Sequence, residues 1–529
     1  MSVPAPGPTA GLSSFTKSLV LLVAAIGFLF DTYELLMFPV IGADAVGELI
    51  QVQKDGRPVD KWWIEVGLGG THGDLKHGVD EPDDNERVRL WAGRMLWIAA
   101  LCGGVFGLLG GFLVDRLGRK TVMIGSIIIY SFSPVAAAYS TELWMLILFR
   151  CTTFIGVCVE MVAAVTWLAE LFDNKRAREL AIGWTLACAS LGGIFVTEVY
   201  NLIVAGMKDY PDGVSWLPVP PAAWRYTLLT GLVPGALILL LMPFVPESRV
   251  WSDKKRAGTL ARPRFSELFS PALLRTTLVT AALSACAYAA AFGALQLTPL
   301  QMAPTLVPDF GKRQAAIKGE VERLKGKKEE LKSQTKESAA AGLKKLEPAF
   351  ANVKKDREDL KQEVKAKRGN IQRWQELGGL TGRILFAILL LFVPSRTLLR
   401  VFLIPGIVLF PLTYLELIKG EYALFATAIF FCGLLTVAQM SYMSEFLPRV
   451  FPIHLRGTGA AFATNVGARM IGTMAATFNT EFLSGLLSSA DTPNPLKVAT
   501  AAAVIGGAAY LVALVLTFLL PTPRAEVAD

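Results

Sequence analysis

The run Gly111-Phe112-Leu113-Val114-Asp115-Arg116-Leu117-Gly118-Arg119-Lys120 places four charges and two glycines between apolar stretches near 91–113 and 121–140. Gly111 lets neighbouring helices approach closely, and Asp115 can bridge to an adjacent helix end. Gly118 turns the chain, and Arg116, Arg119 and Lys120 make a cationic loop of the kind that resists passage across a bilayer. Each flanking stretch is long enough to cross a hydrocarbon core, which takes about 20 apolar residues as a helix. The decapeptide therefore reads as a short loop on one membrane face, joining two spanning helices.

Outward from that loop the same pattern repeats. Hydrophobic residues make up 53% of the 529 positions and charged residues 18%, a balance that belongs to membrane chains rather than soluble ones. Hydropathy predicts spans near 17–42, 91–113, 121–140, 143–168, 180–205 and 224–245. After a charged connector at 246–272, six more are expected near 273–303, 377–394, 398–418, 422–446, 458–486 and 498–520. The expected fold is all-α, with twelve transmembrane helices in two six-helix halves, 17–245 and 273–520. A polar tail at 1–16 without a cleavable leader and a second tail at 521–529 complete the expected organisation.

Lys and Arg set the orientation. With the N-terminus in the cytoplasm, Arg116, Arg119, Lys120, Lys175, Arg176, Arg178, Lys254, Lys255, Arg256 and Arg456 fall in cytoplasmic loops. Short outer loops hold few cations, such as Lys208, Arg225, Lys419 and Lys497. Both termini are thus expected in the cytoplasm of a cell (inner) membrane protein, with the acidic, Gly-rich loop 43–90 outside.

The net charge of +8 invites a nucleic-acid reading, which its location removes. Residues 309–376 hold 19 Lys and Arg against 12 Asp and Glu, leaving 33 against 32 for the rest. No nucleic-acid partner is expected. The basic surplus belongs to an insertion at 304–375 between helices seven and eight. There Ile317, Val321, Leu324 and Leu331, then Leu343, Leu346, Phe350, Val353, Leu360, Val364 and Ile371, recur at steps of mostly three, four and seven. That spacing predicts an extracytoplasmic coiled-coil hairpin turning between Ser338 and Gly342. Its charged flanks suit either a solvated structural element or a docking face for a protein partner.

Cys102, Cys151, Cys158, Cys188, Cys286 and Cys432 all lie in apolar stretches without C-x-x-C spacing, and they read as small buried hydrophobes. The segment Thr71-His72-Gly73-Asp74-Leu75-Lys76-His77 is a charged loop rather than a metal site. No metal, cofactor or catalytic constellation is expected, so the chain is not read as an enzyme.

The decapeptide resembles the G-x-L-x-D-R-x-G-R-[RK] signature of the major facilitator superfamily, at the same place between its second and third helices. The resemblance implies two six-helix halves around a midplane substrate site, working by alternating access. Helix four, from Arg150 through Phe154 and Gly156 to Glu160, then Glu170 and Lys175-Arg176-Ala177-Arg178, is similar to the R…G…GE…E…R-x-R-G arrangement of its metabolite:proton and sugar-porter branches. Phe154 and Glu179 depart from glycines in that pattern. Glu445, Pro448 and Arg456-Gly457-Thr458-Gly459 echo it in the second half, and Pro246-Glu247-Ser248-Arg249 resembles the P-E-S-P-R run after helix six. Gly111, Asp115, Arg116, Gly118, Arg119, Glu170, Arg178, Glu445 and Arg456 are accordingly expected to form salt bridges that respond to conformation at cytoplasmic helix ends.

Charges inside a bilayer are costly and point to function. Helix one carries Phe30-Asp31-Thr32-Tyr33-Glu34-Leu35, with Asp31 and Glu34 one turn apart. The run is similar to the D-G-Y/F-D motif of aromatic-acid:proton symporters, and the resemblance implies that Asp31 takes part in proton coupling. Arg150 is its expected partner, with Glu34 beside them. Glu160, Arg94, Glu198, Arg383 and Arg469 are further charges in or near apolar spans that periodicity does not sort. Tyr33, Tyr288, Gln296, Gln439 and Tyr442 are candidate substrate contacts. Helix seven lacks the Q-Q-x-S-G-x-N-x-x-Y-Y run of sugar porters. The expectation is therefore a monomeric secondary transporter, a proton symporter of a small organic acid or related metabolite. Facilitated or antiport movement of sugars or other solutes, and a non-transporting receptor or scaffold using the hairpin, are the competing readings.

Overall fold

The computed structural model describes residues 14–520 apart from 55–56, 58, 60, 69–74, 80–84, 172–174, 210–219, 258–264, 333–335, 453–454 and 490. It gives the backbone alone at 14, 111, 115, 169, 171, 175–184, 186–187, 208–209, 234, 249–250, 254, 332, 336–341, 444–449 and 456–457. The side chains of Asp115, Arg178, Glu445 and Arg456 therefore lie outside the described residues, as do His72 and Asp74.

Lipid offers the main chain no hydrogen-bond partners, so apolar runs of this length satisfy their own amides as helices. In chain order these are α1 (Ser14–Leu49), α2 (Trp62–Glu65), α3 (Glu86–Leu117), α4 (Arg119–Ala138), α5 (Leu143–Leu171), α6 (Lys175–Asp209), α7 (Ala223–Thr230), α8 (Leu232–Leu241) and α9 (Arg249–Arg256). The second half continues with α10 (Leu274–Ala290), α11 (Phe310–Lys332), α12 (Lys336–Leu389), α13 (Ser395–Leu415), α14 (Tyr422–Val450), α15 (Arg456–Phe462), α16 (Met474–Phe478), α17 (Ser484–Leu486) and α18 (Asn494–Leu519). Among the described residues, ten helical stretches are long and apolar enough to cross a membrane. The two other expected spans have physical interruptions. The 377–394 stretch is the tail of α12 and carries Arg383, while 458–486 is divided among α15, α16, α17 and the π-helical turns Ala463–Gly472 and Asn479–Leu483.

Start signals are local. Asn85 caps α3 by accepting from the Arg87 and Val88 amides at 3.0 and 3.3 Å. Pro394 and Pro493 stand immediately before α13 and α18. Within the first half α1 packs on α6, and α5 packs on both α3 and α4; within the second, α12 packs on α14 and α13 on α18. The halves meet where α6 lies along α12, where α3 crosses Ala463–Gly472, and where α1 meets the π-helical turn Thr298–Met302.

One end of the bundle carries the hairpin, with the last turns of α1 beside it, and the other carries the start of α13 and the last turn of α18. On the hairpin side a short antiparallel ribbon, β1 (Gln51–Gln53) with β2 (Leu75–His77), pairs Val52 with Lys76, a feature hydropathy gave no sign of. Burial pushes the Glu65 carboxyl above its usual range, although Arg87 lies 2.6 Å away and the Trp91 indole N–H donates to it at 2.6 Å.

The insertion is a pair of antiparallel helices. Arg313 faces Glu363, Lys328 lies over the Phe350 ring, and Leu331 packs where Gly342 leaves room. Helix α12 already begins at Lys336, so the expected Ser338–Gly342 turn is helical, and Gly342 packs under Leu331 rather than turning the chain. A second correction concerns the boundary at 375. Helix α12 runs 54 residues without a break, from the hairpin into the expected eighth span. Its apolar seam passes smoothly from Leu360 and Val364, packed against Val307, to the fully buried Ile371.

Candidate functional site

The decapeptide forms a tight knot on the side opposite the hairpin. Gly118 has φ of 101°, a left-handed conformation open to glycine, and it separates α3 from α4 with no intervening residue. The Glu247 carboxylate accepts from the Arg119 amide at 3.0 Å and the Lys120 amide at 3.1 Å, capping the start of α4. Arg119, itself buried, grips Glu170 at the end of α5 with two bonds of 3.0 and 2.7 Å. Ser248 completes the knot by donating to Glu170 at 2.5 Å. Glu170 is thus held by Arg119, whereas Arg116 points away and is exposed.

Inside the first half, Asp31 and Glu34 are both buried, and they do not share a partner. The Asp31 carboxyl lies beside the carboxyl of Glu160 on α5, with Arg469 of the second half the neighbouring cation. No donor from another described residue reaches the oxygens of Asp31 or Glu160. The expected Asp31–Arg150 pair is replaced by this one. Arg150 instead donates to the main-chain carbonyls of Glu34 and Leu35 at 2.9 and 3.1 Å, with the rings of Phe38 and Phe154 at 5.4 and 4.9 Å. The reason is height along α5: Arg150 and Glu160 are separated by about 15 Å of helix rise, and Glu160 is the residue level with Asp31. Glu34 has Arg150 as its charged neighbour, but its carboxyl oxygens also lack a donor.

Arg469 bridges the halves. It donates to Asn465 at 2.8 Å, reaches the sulfur of Met161, next to Glu160, at 3.4 Å, and hydrogen-bonds Tyr288 on α10. Tyr288 stacks on Phe292 with centroids 5.5 Å apart and rings 27° from parallel. Beyond Tyr288 the neighbouring charges are Arg383 and then Glu376, both on α12. A string of buried groups, Asp31 and Glu160, Arg469, Tyr288, Arg383, Glu376, therefore crosses from one half to the other. Much of it lies on or beside π-helical turns, Ala291–Leu295 and Ala463–Gly472, a backbone form that often marks functional sites.

Of the candidate substrate contacts, Tyr288 and Gln296 belong to this string, Gln296 as a hydrogen-bond partner of Glu376. Tyr33 is turned toward Thr230, 2.6 Å from its hydroxyl, within the first half. Gln439 and Tyr442 are buried on α14, with Tyr442 edge-on to Phe386 of α12. Glu376 was missed as a site residue because it closes the charge-rich stretch 309–376, whose solvated residues mask it. Glu160 and Arg469 were visible as costly intramembrane charges, but only packing pairs them.

Ion pairs also join the halves on the hairpin side. Asp44 of α1 meets Arg368 at 3.1 Å and Lys365 at 3.9 Å, Glu198 of α6 meets Arg373 at 2.5 Å, and Arg94 of α3 meets Glu481 at 2.5 Å. Arg89 adds bonds to the Thr480 carbonyl and the Ser484 hydroxyl. The sorted charges Arg94 and Glu198 thus belong to a clasp, and not to the central string.

A family model described as sugar (and other) transporter matches residues 74–280. The chain is 32% identical over 163 residues to the 4-hydroxybenzoate transporter PcaK of Pseudomonas putida, covering 30% of this chain and 33% of that one. It is 29% identical over 155 residues to an arabinose-proton symporter of Bacillus subtilis (strain 168), covering 29% and 32%. These matches span about a third of the relatives' own length. The structural likeness is longer. A crystal structure of a D-xylose-proton symporter superposes with a TM-score of 0.62 at 15% identity, covering 97% of this chain and 99% of that one. The proton:xylose symporter XylE, described as a major facilitator superfamily protein, does so with 0.55 at 15% identity, covering 94% and 95%. At that identity the likeness establishes a common fold.

Proposed function

We propose that the chain is a major facilitator superfamily transporter, a proton-coupled symporter of a small organic acid, most simply an aromatic acid, working by alternating access. The observation that carries the reading is the buried Asp31–Glu160 carboxyl pair with Arg469 of the opposite half beside it. Two carboxyl groups in contact, with no other donor, are stable with a proton between them. Loss of that proton leaves a charge that attracts Arg469, so protonation changes how firmly the halves are held together. Tyr288, Arg469 and Arg383 supply an aromatic surface and two cations suited to an organic anion. The likeness to a hydroxybenzoate transporter supports an organic-acid cargo, and the likeness to an arabinose-proton symporter supports proton coupling.

The same reading takes the ten apolar stretches, the tail of α12 and the broken helix 456–486 as twelve spans in two halves, 17–245 and 273–520, joined by the connector 246–272. Both termini are assigned to the cytoplasm of a cell membrane and the hairpin, as a coiled coil, to the outside. The cationic decapeptide loop and Lys254, Lys255 and Arg256 support that orientation. A second reading, uptake of a sugar, is favoured by the sugar-transporter model match and the xylose symporter fold.

Uptake into proteoliposomes with and without an imposed pH gradient separates these. Benzoate or hydroxybenzoate accumulation that needs the gradient supports the proposal, and accumulation of xylose or arabinose alone supports the second reading. In the same assay Asp31→Asn should lower gradient-driven accumulation by about a hundredfold, the scale of losing a coupled proton. Undiminished accumulation would show that Asp31 is not the coupling group.

A further inference from the structure

Arg469 carries a buried charge, yet the acceptors it reaches are neutral. Its Nη1 donates to Asn465 Oδ1 at 2.8 Å and its Nη2 to the sulfur of Met161 at 3.4 Å, with Tyr288 of α10 beside it. No donor from it reaches the oxygens of Asp31 or Glu160, although Asp31 is its neighbouring carboxyl and Glu160 adjoins Met161. A guanidinium bond to a carboxylate is roughly twice as strong as one to a neutral acceptor, so an ionised pair would draw the side chain in. The observed arrangement suits a pair that holds a proton, with the cation resting on an amide.

That amide is fixed by α3. Asn465 and Arg469 lie four positions apart in the π-helical turn Ala463–Gly472, and both are buried. A Cβ added at Gly107 would come 2.5 Å from Asn465 Oδ1, and one added at Gly104 would come 3.0 Å from the Asn465 carbonyl oxygen and 2.6 Å from Met470. Two glycines one turn apart on α3 therefore let this turn of the second half lie directly on the first half. Trp97 of α3 adds an indole N–H bond to the Met470 carbonyl at 2.9 Å. The titratable groups around this point, among the described residues, are Asp31 and, one turn on, Glu34 of α1, Tyr130 of α4, Cys158 and Glu160 of α5, and Tyr288 of α10, with Arg383 of α12 beyond Tyr288.

We propose that Asn465 is the resting partner of Arg469, a positioning residue that holds the guanidinium away from Asp31 and Glu160 while those two share a proton and yields it when the proton leaves. Asn465 bonds to neither carboxyl and acts only through Arg469. Gly107 sets the reach of the amide from α3, so the contact between the halves and the charge of the pair are tied through one side chain. This inference rests on the proton-sharing reading above and adds the residue that competes with the pair for the cation.

The test is infrared titration of the protonated carboxyl band in the full-length protein in detergent, with the difference against Asp31→Asn taken in each background to isolate the pair. Asn465→Leu removes the resting acceptor, so Arg469 turns to the carboxyls and stabilises their charged form. The pair should then lose its proton at a pH about one unit lower, a tenfold change in proton affinity. Asn465→Asp keeps the shape but holds Arg469 with a negative charge, so the pair should keep its proton to a pH about one unit higher. Gly107→Ala, which pushes the amide back, should follow Asn465→Leu. Loosened packing has no reason to give opposite signs, so shifts of one sign in both Asn465 variants, or no shift in either, would overturn the proposal. Should Asn465→Leu fail to fold, the isosteric Asn465→Asp decides the question by the sign of its shift. A pair that does not titrate in the unmodified protein would instead sink the proton-sharing reading, and the resting partner with it.

Discussion

Gly118 and Gly125 lie seven positions apart at the start of the same region and make opposite demands. At Gly118 the φ of 101° and ψ of 157° lie in a region essentially confined to glycine, where a side chain costs about 1–3 kcal/mol, and an added Cβ would run into the Glu247 carboxylate that caps α4. At Gly125, inside α4, a Cβ meets nothing within 4 Å. Gly118→Ala should therefore lower the thermal midpoint in detergent by several degrees, and Gly125→Ala should raise it slightly, because alanine is the better helix former by about 1 kcal/mol. Matching shifts in the two variants would remove the conformational argument. The residue scale is also where sequence reading of the site was most mixed. Asp31 stood out as a charge in an apolar run, and it is indeed buried. Its partner did not, since Arg150 and Glu160 lie on one helix and only the level at which α1 meets α5 selects between them.

The element that organises the second half is α12. Lys365, Arg368, Arg373, Glu376 and Arg383 lie at successive heights on this one helix, over about 27 Å of rise. The hairpin is thus continuous with the clasp and with the central string of charges. Its root is a small apolar cluster of Ala303, Val307, Leu360 and Val364 with Phe310 and Ile317 packed against it. Shortening the hairpin by removing residues 320–356 and joining the ends with a Gly-Asn turn keeps that root and the Arg313–Glu363 pair. Such a protein should retain gradient-driven uptake to within about twofold, since exposed charged helices contribute little through single surface pairs. Loss of uptake in a shortened protein that melts normally would assign the hairpin tip a working part, as the scaffold reading requires. By contrast Arg368→Ala takes from Asp44 its buried partner and leaves it Lys365 at 3.9 Å and the more distant Lys361, and removing a buried partner costs about 3–5 kcal/mol. A marked fall in thermal midpoint is expected.

At the scale of the whole molecule, the described pairs Asp44–Arg368, Glu198–Arg373 and Arg94–Glu481 fasten the halves on the hairpin side. Weakening them should shift the population toward a state open on that side. In a background lacking the six natural cysteines, a cysteine at Val40, fully buried beneath Arg368, should react with an impermeant maleimide about tenfold faster when Asp44→Asn is added. An unchanged rate would mark the clasp as static packing. Sequence by itself determined the class of the molecule: its membrane spans, the loop joining the second and third, the helical insertion and the presence of costly internal charges. Those follow from hydropathy and periodicity, which are properties of consecutive residues. Tertiary structure alone decided that Asp31 faces Glu160, that Arg469 and Tyr288 carry the string of charges across the halves, that α12 runs unbroken out of the hairpin, and that Glu376 gathers three glutamines. The pairings of Asp31 with Glu160 and of Arg469 with Tyr288 depend on the level at which one helix meets another, which packing sets between residues more than a hundred positions apart.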